Sequence, residues 1–385
     1  MTAMSLTFDA VNEALPGPKW RARWDRSWPA YEAWFVARGG DDGPSRAECR
    51  AALKHHMPEL LPVYDRLVLI AGGSDRAARF LATWNPPRYL GGCSLAALSD
   101  GVETRLVRNY DLSPDLNEGL LLRSEWTGRP VMGMVEFIWG LSDGINAAGL
   151  CVALAYGGRS QTGSGFGITT ILRYVLETCE TVGQALAVLA RVPSHMAYNV
   201  VLADAGGRTA SVELSPGGGA KVMPGAIATN HQHGTQPADR AAFTRSHQRH
   251  EHLAGLSIRP SEMLDDFLLP PLRQNRYAEG FGTLFTAEYD PGAGRLCLAW
   301  PEERWTQTLS DFREGCREIR YDAATAAPVA PGSPSPAVDW AHAARIDWNR
   351  LAQDYARGAG RAIQHYLPQS AGSGRCIRDA GRAAG

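Results

Sequence analysis

The chain has 385 residues, of which 44% are hydrophobic and 21% charged, and a formal net charge of -1. That length and composition support one large domain with appendages, or two domains, with a sizeable buried core. The near-neutral charge gives no electrostatic reason to expect nucleic acid or an anionic membrane as partner, and no stretch is long and apolar enough to span a bilayer.

The opening residues, MTAMSLTFDAVNEALPGPKW, lack a basic stretch followed by an apolar one, so an export signal is not expected. The cysteines at 49, 93, 151, 179, 297, 316 and 376 are scattered, odd in number and without a CxxC pair. This predicts reduced thiols in a cytoplasm rather than a disulfide framework or a zinc site.

Residues 19–85 read as mostly helical. Trp24, Trp28, Tyr31, Trp34 and Phe35 recur at helical spacing, and Ser45 is a candidate N-cap for the helix that starts at Arg46. The aromatic run reads as the apolar stripe of a docked helical segment rather than a ligand platform. Asn85-Pro86-Pro87 then stops helix formation. From Cys93 the period changes to strand, and Asp100-Gly101 predicts a hairpin between Cys93–Ser99 and Thr104–Asn109. Further strands are expected at 137–140, 150–156, 199–203, 210–214, 221–223 and 296–300, with Asp143-Gly144, Ala205-Gly206-Gly207 and Pro216-Gly217-Gly218-Gly219 as turns. Helices are expected at 169–177, at 181–190 with Thr181 as N-cap, at 240–253 and at 260–269. Strands, then helices, then strands favour an α+β layered architecture with antiparallel sheets over a doubly wound parallel sheet. Residues 323–337 (AATAAPVAPGSPSPA) read as a linker, and 338–385 as an amphipathic helix with a disordered tail.

An isolated Gly91-Gly92-Cys93 would read as a small buried hydrophobe at a strand start. Here it is followed by Arg108-Asn109-Tyr110-Asp111, Asp143-Gly144-Ile145-Asn146-Ala147-Ala148-Gly149-Leu150, Asn199–Pro216, Ala228-Thr229-Asn230-His231 and Gly282-Thr283-Leu284 with a hairpin to Leu296–Trp300. In that order and spacing, over roughly residues 88–305, the chain resembles the penicillin-acyltransferase-like (isopenicillin N acyltransferase) group of N-terminal nucleophile (Ntn) hydrolases. Choloylglycine hydrolases and acid ceramidase are more distant relatives.

The resemblance implies a four-layer αββα sandwich, a precursor that cuts itself between Gly92 and Cys93, and acyl transfer or hydrolysis at linear amide bonds. Residues 1–92 would then be a helical pro-segment or small subunit, and 93–322 the catalytic domain. Cys93 would supply both a thiol nucleophile and, once freed, an α-amine base. The two preceding glycines would permit a tight, strained backbone at the cut. Arg108 would lower the thiol pKa and hold an anionic intermediate. Asp111 would orient the new α-amine; read from its neighbours alone, it is also a turn aspartate before Leu112-Ser113-Pro114. Asn230 would line the oxyanion hole with its neutral amide, the alternative being a turn asparagine. Where the bile-acid branch has an asparagine, this chain has Tyr156, leaving a backbone N–H or the Tyr156 hydroxyl as second donor. Tyr110, Tyr156 and His231 are candidate pocket walls. Asn146 reads as a structural turn residue, and Glu213 as an internal ion-pair partner without a catalytic role.

His231, His233, His247, His250 and His252 do not form a recognised ligand pattern, and RSHQRHEHL reads as a solvated helix face. No metal and no cofactor is therefore expected. The expected partner is a small-molecule amide or acyl substrate. The processed fragments should stay associated, because the N-terminal segment carries too many large apolar residues to be left exposed. A homo-oligomer stays open. So does the alternative of an unprocessed, non-catalytic relative that binds acylated small molecules or a protein partner.

Overall fold

The computed structural model describes residues 4–89, 91–234, 238–239 and 241–321. The expected linker at 323–337 and the helix and tail at 338–385 lie outside the described residues.

The first element is a strand, β1 (Met4–Asn12), so the stretch before Cys93 is not wholly helical. Four helices follow: α1 (Pro18–Ala37), α2 (Arg46–His56), α3 (Leu61–Ile70) and α4 (Asp75–Ala82). Trp20, Trp24 and Trp28 stack along α1 with ring centroids 5.4 and 4.5 Å apart. Phe80 of α4 meets Trp24 and Trp28 edge-on. Such contacts add about 0.5–1.5 kcal/mol each beyond area burial, so the stripe binds α1 to α4. Ser45 caps α2 as expected, in a reciprocal box with Glu48.

The rest of the chain contributes β2 (Gly92–Ser99), β3 (Thr104–Leu112), β4 (Leu120–Ser124), β5 (Val131–Glu136), β6 (Gly140–Asn146) and β7 (Cys151–Tyr156). Then come α5 (Ile168–Thr178), α6 (Val182–Arg191), β8 (Tyr198–Ala203), β9 (Thr209–Leu214), β10 (Ala220–Met223) and β11 (Ile227–Ala228). The last are α7 (Ala241–Thr244), α8 (Ser246–Ala254), α9 (Met263–Phe267), β12 (Asn275–Arg276), β13 (Phe281–Asp290), β14 (Arg295–Trp300), β15 (Glu303–Thr308) and β16 (Gly315–Tyr321). Thr181 caps α6 through its hydroxyl. The helix expected over 240–253 is divided between α7 and α8 at Arg245, whose φ is 51°.

Nine strands form one sheet in the order β10-β9-β8-β7-β6-β5-β4-β1-β16, and seven form the other, β11-β2-β3-β13-β14-β15 with β12 beside β13. All pairings are antiparallel except β1 with β4. Period-2 alternation sorts the side chains. Leu95 and Ala97 of β2 join Met132, Val201 and Leu298 between the sheets, while Ala96 and Val107 face Leu253, Met263 and Phe267 of α8 and α9. On the opposite side, α5, α6 and the N-terminal helices share one apolar cluster with the outer face of the nine-stranded sheet. The result is an αββα sandwich, the fold class expected.

One local reading is reversed. Of the expected strand at 137–140, residues 137–139 are the connection between β5 and β6 and only Gly140 lies in a strand. The connection turns through Phe137 and Ile138 at φ 56° and 68°. A β-branched residue in the left-handed region costs about 1–3 kcal/mol and persists only where its surroundings fix it. Here the Ile138 N–H donates to the Glu118 carboxylate, which also accepts from the Tyr31 hydroxyl of α1. The expected Asp143-Gly144 turn lies buried inside β6. The true turn follows Asn146, whose amide oxygen accepts from the N–H groups of Ala148 and Leu150.

Cys49, Cys93, Cys151, Cys179 and Cys297 are free, whereas Cys316 is disulfide-bonded, which corrects the expectation of reduced thiols throughout. Among the described residues no helix is long and apolar enough to cross a membrane.

Candidate active site

The β2–β3 hairpin sets the site. Its register pairs Gly92 with Asp111, Cys93 with Tyr110 and Leu95 with Arg108. Alternation then points Cys93, Arg108 and Tyr110 into the space between the sheets, and Ser94, Asn109 and Asp111 toward the helices of the other face. Gly92 is required by clearance rather than by a left-handed backbone. A Cβ there would lie 2.4 Å from the Phe281 ring and 2.9 Å from the Asp111 carbonyl oxygen.

Cys93 is buried, and Arg108 Nη2 donates to its Sγ at 3.2 Å. The other end of the same guanidinium pairs with Asp143, reached across the sheets from β6. Asp143 also accepts from the Tyr289 hydroxyl at 2.5 Å. Arg108 lies 4.5 Å over the Tyr110 ring, so Tyr110 forms a platform under the arginine. Burial pushes the Cys93 thiol up to about 11, and Arg108 only partly offsets it. Near neutrality this favours the protonated thiol, despite the arginine.

The main chain of Cys93 is gripped from the opposite face. Its N–H donates to Asn230 Oδ1 at 3.0 Å, and its carbonyl accepts from Arg249 Nη1 at 2.5 Å. Arg249 also donates to Ser94 Oγ and Asn230 Oδ1, both at 2.8 Å, and stands 3.5 Å from Asp111. Asp111 accepts from Thr283 Oγ1 at 2.6 Å. Burial raises the Asp111 carboxyl and lowers the Arg249 guanidinium, and each opposes the other's shift by its charge. The Asn230 amide nitrogen donates to the Tyr156 carbonyl at 3.1 Å, and Asn199 braces the turn by donating to the carbonyls of Thr229 and His231.

The structure thus gathers Cys93, Arg108, Asp111 and Asn230 around one residue. It gives Asn230 a hold on the Cys93 nitrogen, and Tyr156 reaches the site through its backbone. The Tyr156 ring packs against Tyr198 in the helix-side cluster. His231 turns to Ser246 and to other histidines. Two members were missed. Asp143 was hidden by the turn-like dipeptide Asp-Gly. Arg249 was hidden in the polar run RSHQRHEHL, although it is wholly buried. Its one sequence signal is position: it lies three residues after Ser246 and four before Leu253, the other buried residues on that face of α8.

Just upstream of the hairpin, Tyr89 packs 4.5 Å from Phe137 and 6.0 Å from Tyr198. Tyr89 thus joins the helix-side apolar cluster that also holds Tyr156 and Tyr198.

No curated protein matches the chain by sequence. Similar solved structures include a mutant of conjugated bile acid hydrolase from Clostridium perfringens, at 13% identity over 62% of this chain and 99% of that one, TM-score 0.38. Penicillin V acylase from Agrobacterium tumefaciens is 17% identical over 57% of this chain and 86% of that one, TM-score 0.38. The Caenorhabditis elegans ortholog of N-acylethanolamine-hydrolyzing acid amidase is 17% identical over 59% of this chain and 99% of that one, TM-score 0.39. The family described as "Acyl-coenzyme A:6-aminopenicillanic acid acyl-transferase" matches residues 99–305, which hold Arg108, Asp111, Asn230 and Arg249 and begin just after Cys93. The match spans more than half of the chain, which belongs to this penicillin-acyltransferase-like family of Ntn hydrolases.

Proposed function

We propose that the protein is a self-processing cysteine amidohydrolase or acyltransferase that cuts itself between Gly92 and Cys93 and then acts on linear amide bonds of small molecules. The observation that carries this reading is the convergence on Cys93. Its sulfur, nitrogen and carbonyl oxygen are each held by a different buried side chain, those of Arg108, Asn230 and Arg249. A merely structural cysteine has no need of three such partners.

In the first step the Cys93 sulfur, losing its proton, attacks the Gly92 carbonyl carbon. The peptide C–N bond breaks, the nitrogen takes up a proton, and a thioester joins Gly92 to Sγ. Water hydrolyses that ester, leaving a Gly92 carboxylate and a Cys93 with free thiol and free α-amine. In each later turnover the α-amine takes the thiol proton as sulfur attacks a substrate amide, and returns one to the departing amine. Arg108 is placed to favour the thiolate. Asn230 holds the Cys93 nitrogen and Arg249 its carbonyl oxygen, and Asp111 fixes Arg249. Water or an amine then takes the acyl group from the thioester.

Residues 1–92 would form the released or retained small subunit, and 93–322 the catalytic part. Retention is supported by β1, which lies between β4 and β16 inside the large sheet. Displacement of the Tyr89 segment after the cut would open the space beside Phe137 and Tyr198, which suits an apolar acyl group.

The test is the denatured mass of the purified protein, which starts from 41.7 kDa, with N-terminal sequencing of any fragment. A fragment beginning Cys93-Ser94-Leu95, absent in Cys93→Ala, is expected. A chain that stays whole through long incubation with reductant would point to the non-catalytic relative instead.

A further inference from the structure

Beyond the nucleophile, a second cluster lies on the far side of Asn230. His231, His233 and His250 each offer one ring nitrogen, and these three atoms all fall within 4.8 Å of one another. The ring centroids are 5.8 Å apart for His231 and His233, 5.1 Å for His231 and His250, and 5.4 Å for His233 and His250. Three imidazoles on one tetrahedral ion, each with a nitrogen about 2.1 Å from it, place their ring centroids about 5 Å apart. The observed triangle is close to that size without any movement of the backbone.

One nitrogen, Nδ1, of two of the rings is already engaged, which leaves Nε2 as their candidate ligand atom. His233 Nδ1 is paired with Glu213 Oε1 at 2.8 Å, and His231 Nδ1 with Ser246 Oγ at 2.8 Å. Metal-bound histidines commonly have the second ring nitrogen held by a carboxylate or another oxygen, which fixes the tautomer and turns Nε2 toward the ion. Glu213 comes from β9, far in sequence from the histidines, so this is not a local helix contact. A cavity of about 180 Å³, lined by Gly157, Arg159, Glu213, Lys221, Gln232 and His233, borders the cluster and leaves it open to solvent on that side.

We propose that His231, His233 and His250 form a binding site for a zinc-like divalent transition-metal cation, with Glu213 and Ser246 orienting two of the rings. An all-imidazole set selects zinc, copper or nickel over magnesium and calcium, which prefer oxygen. The position of the site gives it a role. His231 follows Asn230 directly and His250 follows Arg249 directly, and both of those neighbours hold Cys93. An ion shared by the histidines ties the 229–233 turn to α8. It thereby fixes the spacing of the two groups that grip the nucleophile's backbone.

The experiment is equilibrium dialysis of the full chain carrying Cys93→Ala against zinc chloride, with metal analysis, and cobalt(II) absorption spectra in parallel. The Cys93→Ala background makes the result independent of whether the chain cuts itself. One zinc per chain and intense visible cobalt bands are expected. His233→Ala with His250→Ala should weaken zinc by at least about 100-fold, and Glu213→Gln by about tenfold. Circular dichroism of each variant checks that it is folded, and the single His250→Gln replaces the double variant if it is not. Zinc affinity that is unchanged in these variants, absence of stoichiometric zinc in the parent, or equal retention of magnesium would each overturn the assignment.

Discussion

Arg108 and Asp143 meet between the two sheets with no exposed side-chain surface on either, so the arginine that touches Cys93 arrives already neutralised by a carboxylate from the other sheet. This explains why a fixed positive charge beside the sulfur only partly offsets the rise that burial imposes on the thiol. Burial dominates, and the charge that opposes it is shared with Asp143.

Removing Asp143 leaves a buried, uncompensated guanidinium. Asp143→Asn is expected to destabilise the fold by about 3–5 kcal/mol, the usual range for breaking a buried pair from one side. Chemical denaturation of Cys93→Ala with and without Asp143→Asn measures this without interference from cleavage. A loss under about 1 kcal/mol would mean that Tyr289 and solvent compensate for the missing carboxylate.

Arg249 bridges the Cys93 carbonyl, Ser94, Asn230 and Asp111, which needs a planar fork with several donors. Arg249→Lys keeps the charge and loses the fork. The proposed cleavage at Gly92–Cys93 is expected to slow by about 100-fold or more, the scale of losing one well-placed donor at a reacting centre. Accumulation of intact chain, followed by mass spectrometry, reads the rate. Wild-type kinetics in Arg249→Lys would reduce this residue to a charge.

With the thiol pushed up to about 11, the thiolate fraction rises about tenfold per pH unit through the neutral and mildly alkaline range. The rate of self-cleavage should rise in the same way between about pH 7 and 9. A flat profile would mean that the proton leaves in a step other than pre-equilibrium ionisation.

Burial raises the Glu118 carboxyl to about 7, opposed by its bonds to Tyr31 and Ile138. The folded state therefore holds this proton more tightly than the unfolded chain, whose carboxyl titrates near 4.5. The sign follows from linkage: the contribution of Glu118 to stability is largest below pH 4.5 and declines as the pH rises toward 7. Glu118→Gln should flatten that part of the curve of melting temperature against pH. A parallel, equally steep curve in the variant would assign the slope to other carboxyls.

Gly92→Ala should disturb the hairpin entrance, because the added methyl meets the Phe281 ring and the Asp111 carbonyl. Overpacking of this kind costs about 1–3 kcal/mol. It should also displace the scissile carbonyl, so slow cleavage and a lowered melting temperature are expected together.

What was legible in the sequence was local. Ser45 and Thr181 cap helices through bonds that span three residues, and Asp100-Gly101 closes a hairpin whose strands are adjacent in sequence. The order of short motifs brought out Cys93, Arg108, Asp111 and Asn230. The misreadings share a cause. Asp143-Gly144 has the composition of a turn, but its aspartate is held by an arginine from the opposite sheet and its glycine is required by the approach of Leu176 and Met132. Arg249 sits in a run that is polar by composition, yet its partners are Cys93, Asn230 and Asp111. β1 was missed because its partners, β4 and β16, lie far downstream and its burial pattern does not alternate. Nothing within a short window can reveal a partner so distant.

The place of β1 also sets a clock. Its antiparallel neighbour, β16, ends at Tyr321, so β1 completes its pairing only after every other strand of both sheets has been synthesised. A scission that depends on the assembled sandwich would wait for that closure. The appearance of a new N-terminus at Cys93 would then mark a chain in which β1 and β16 have already met.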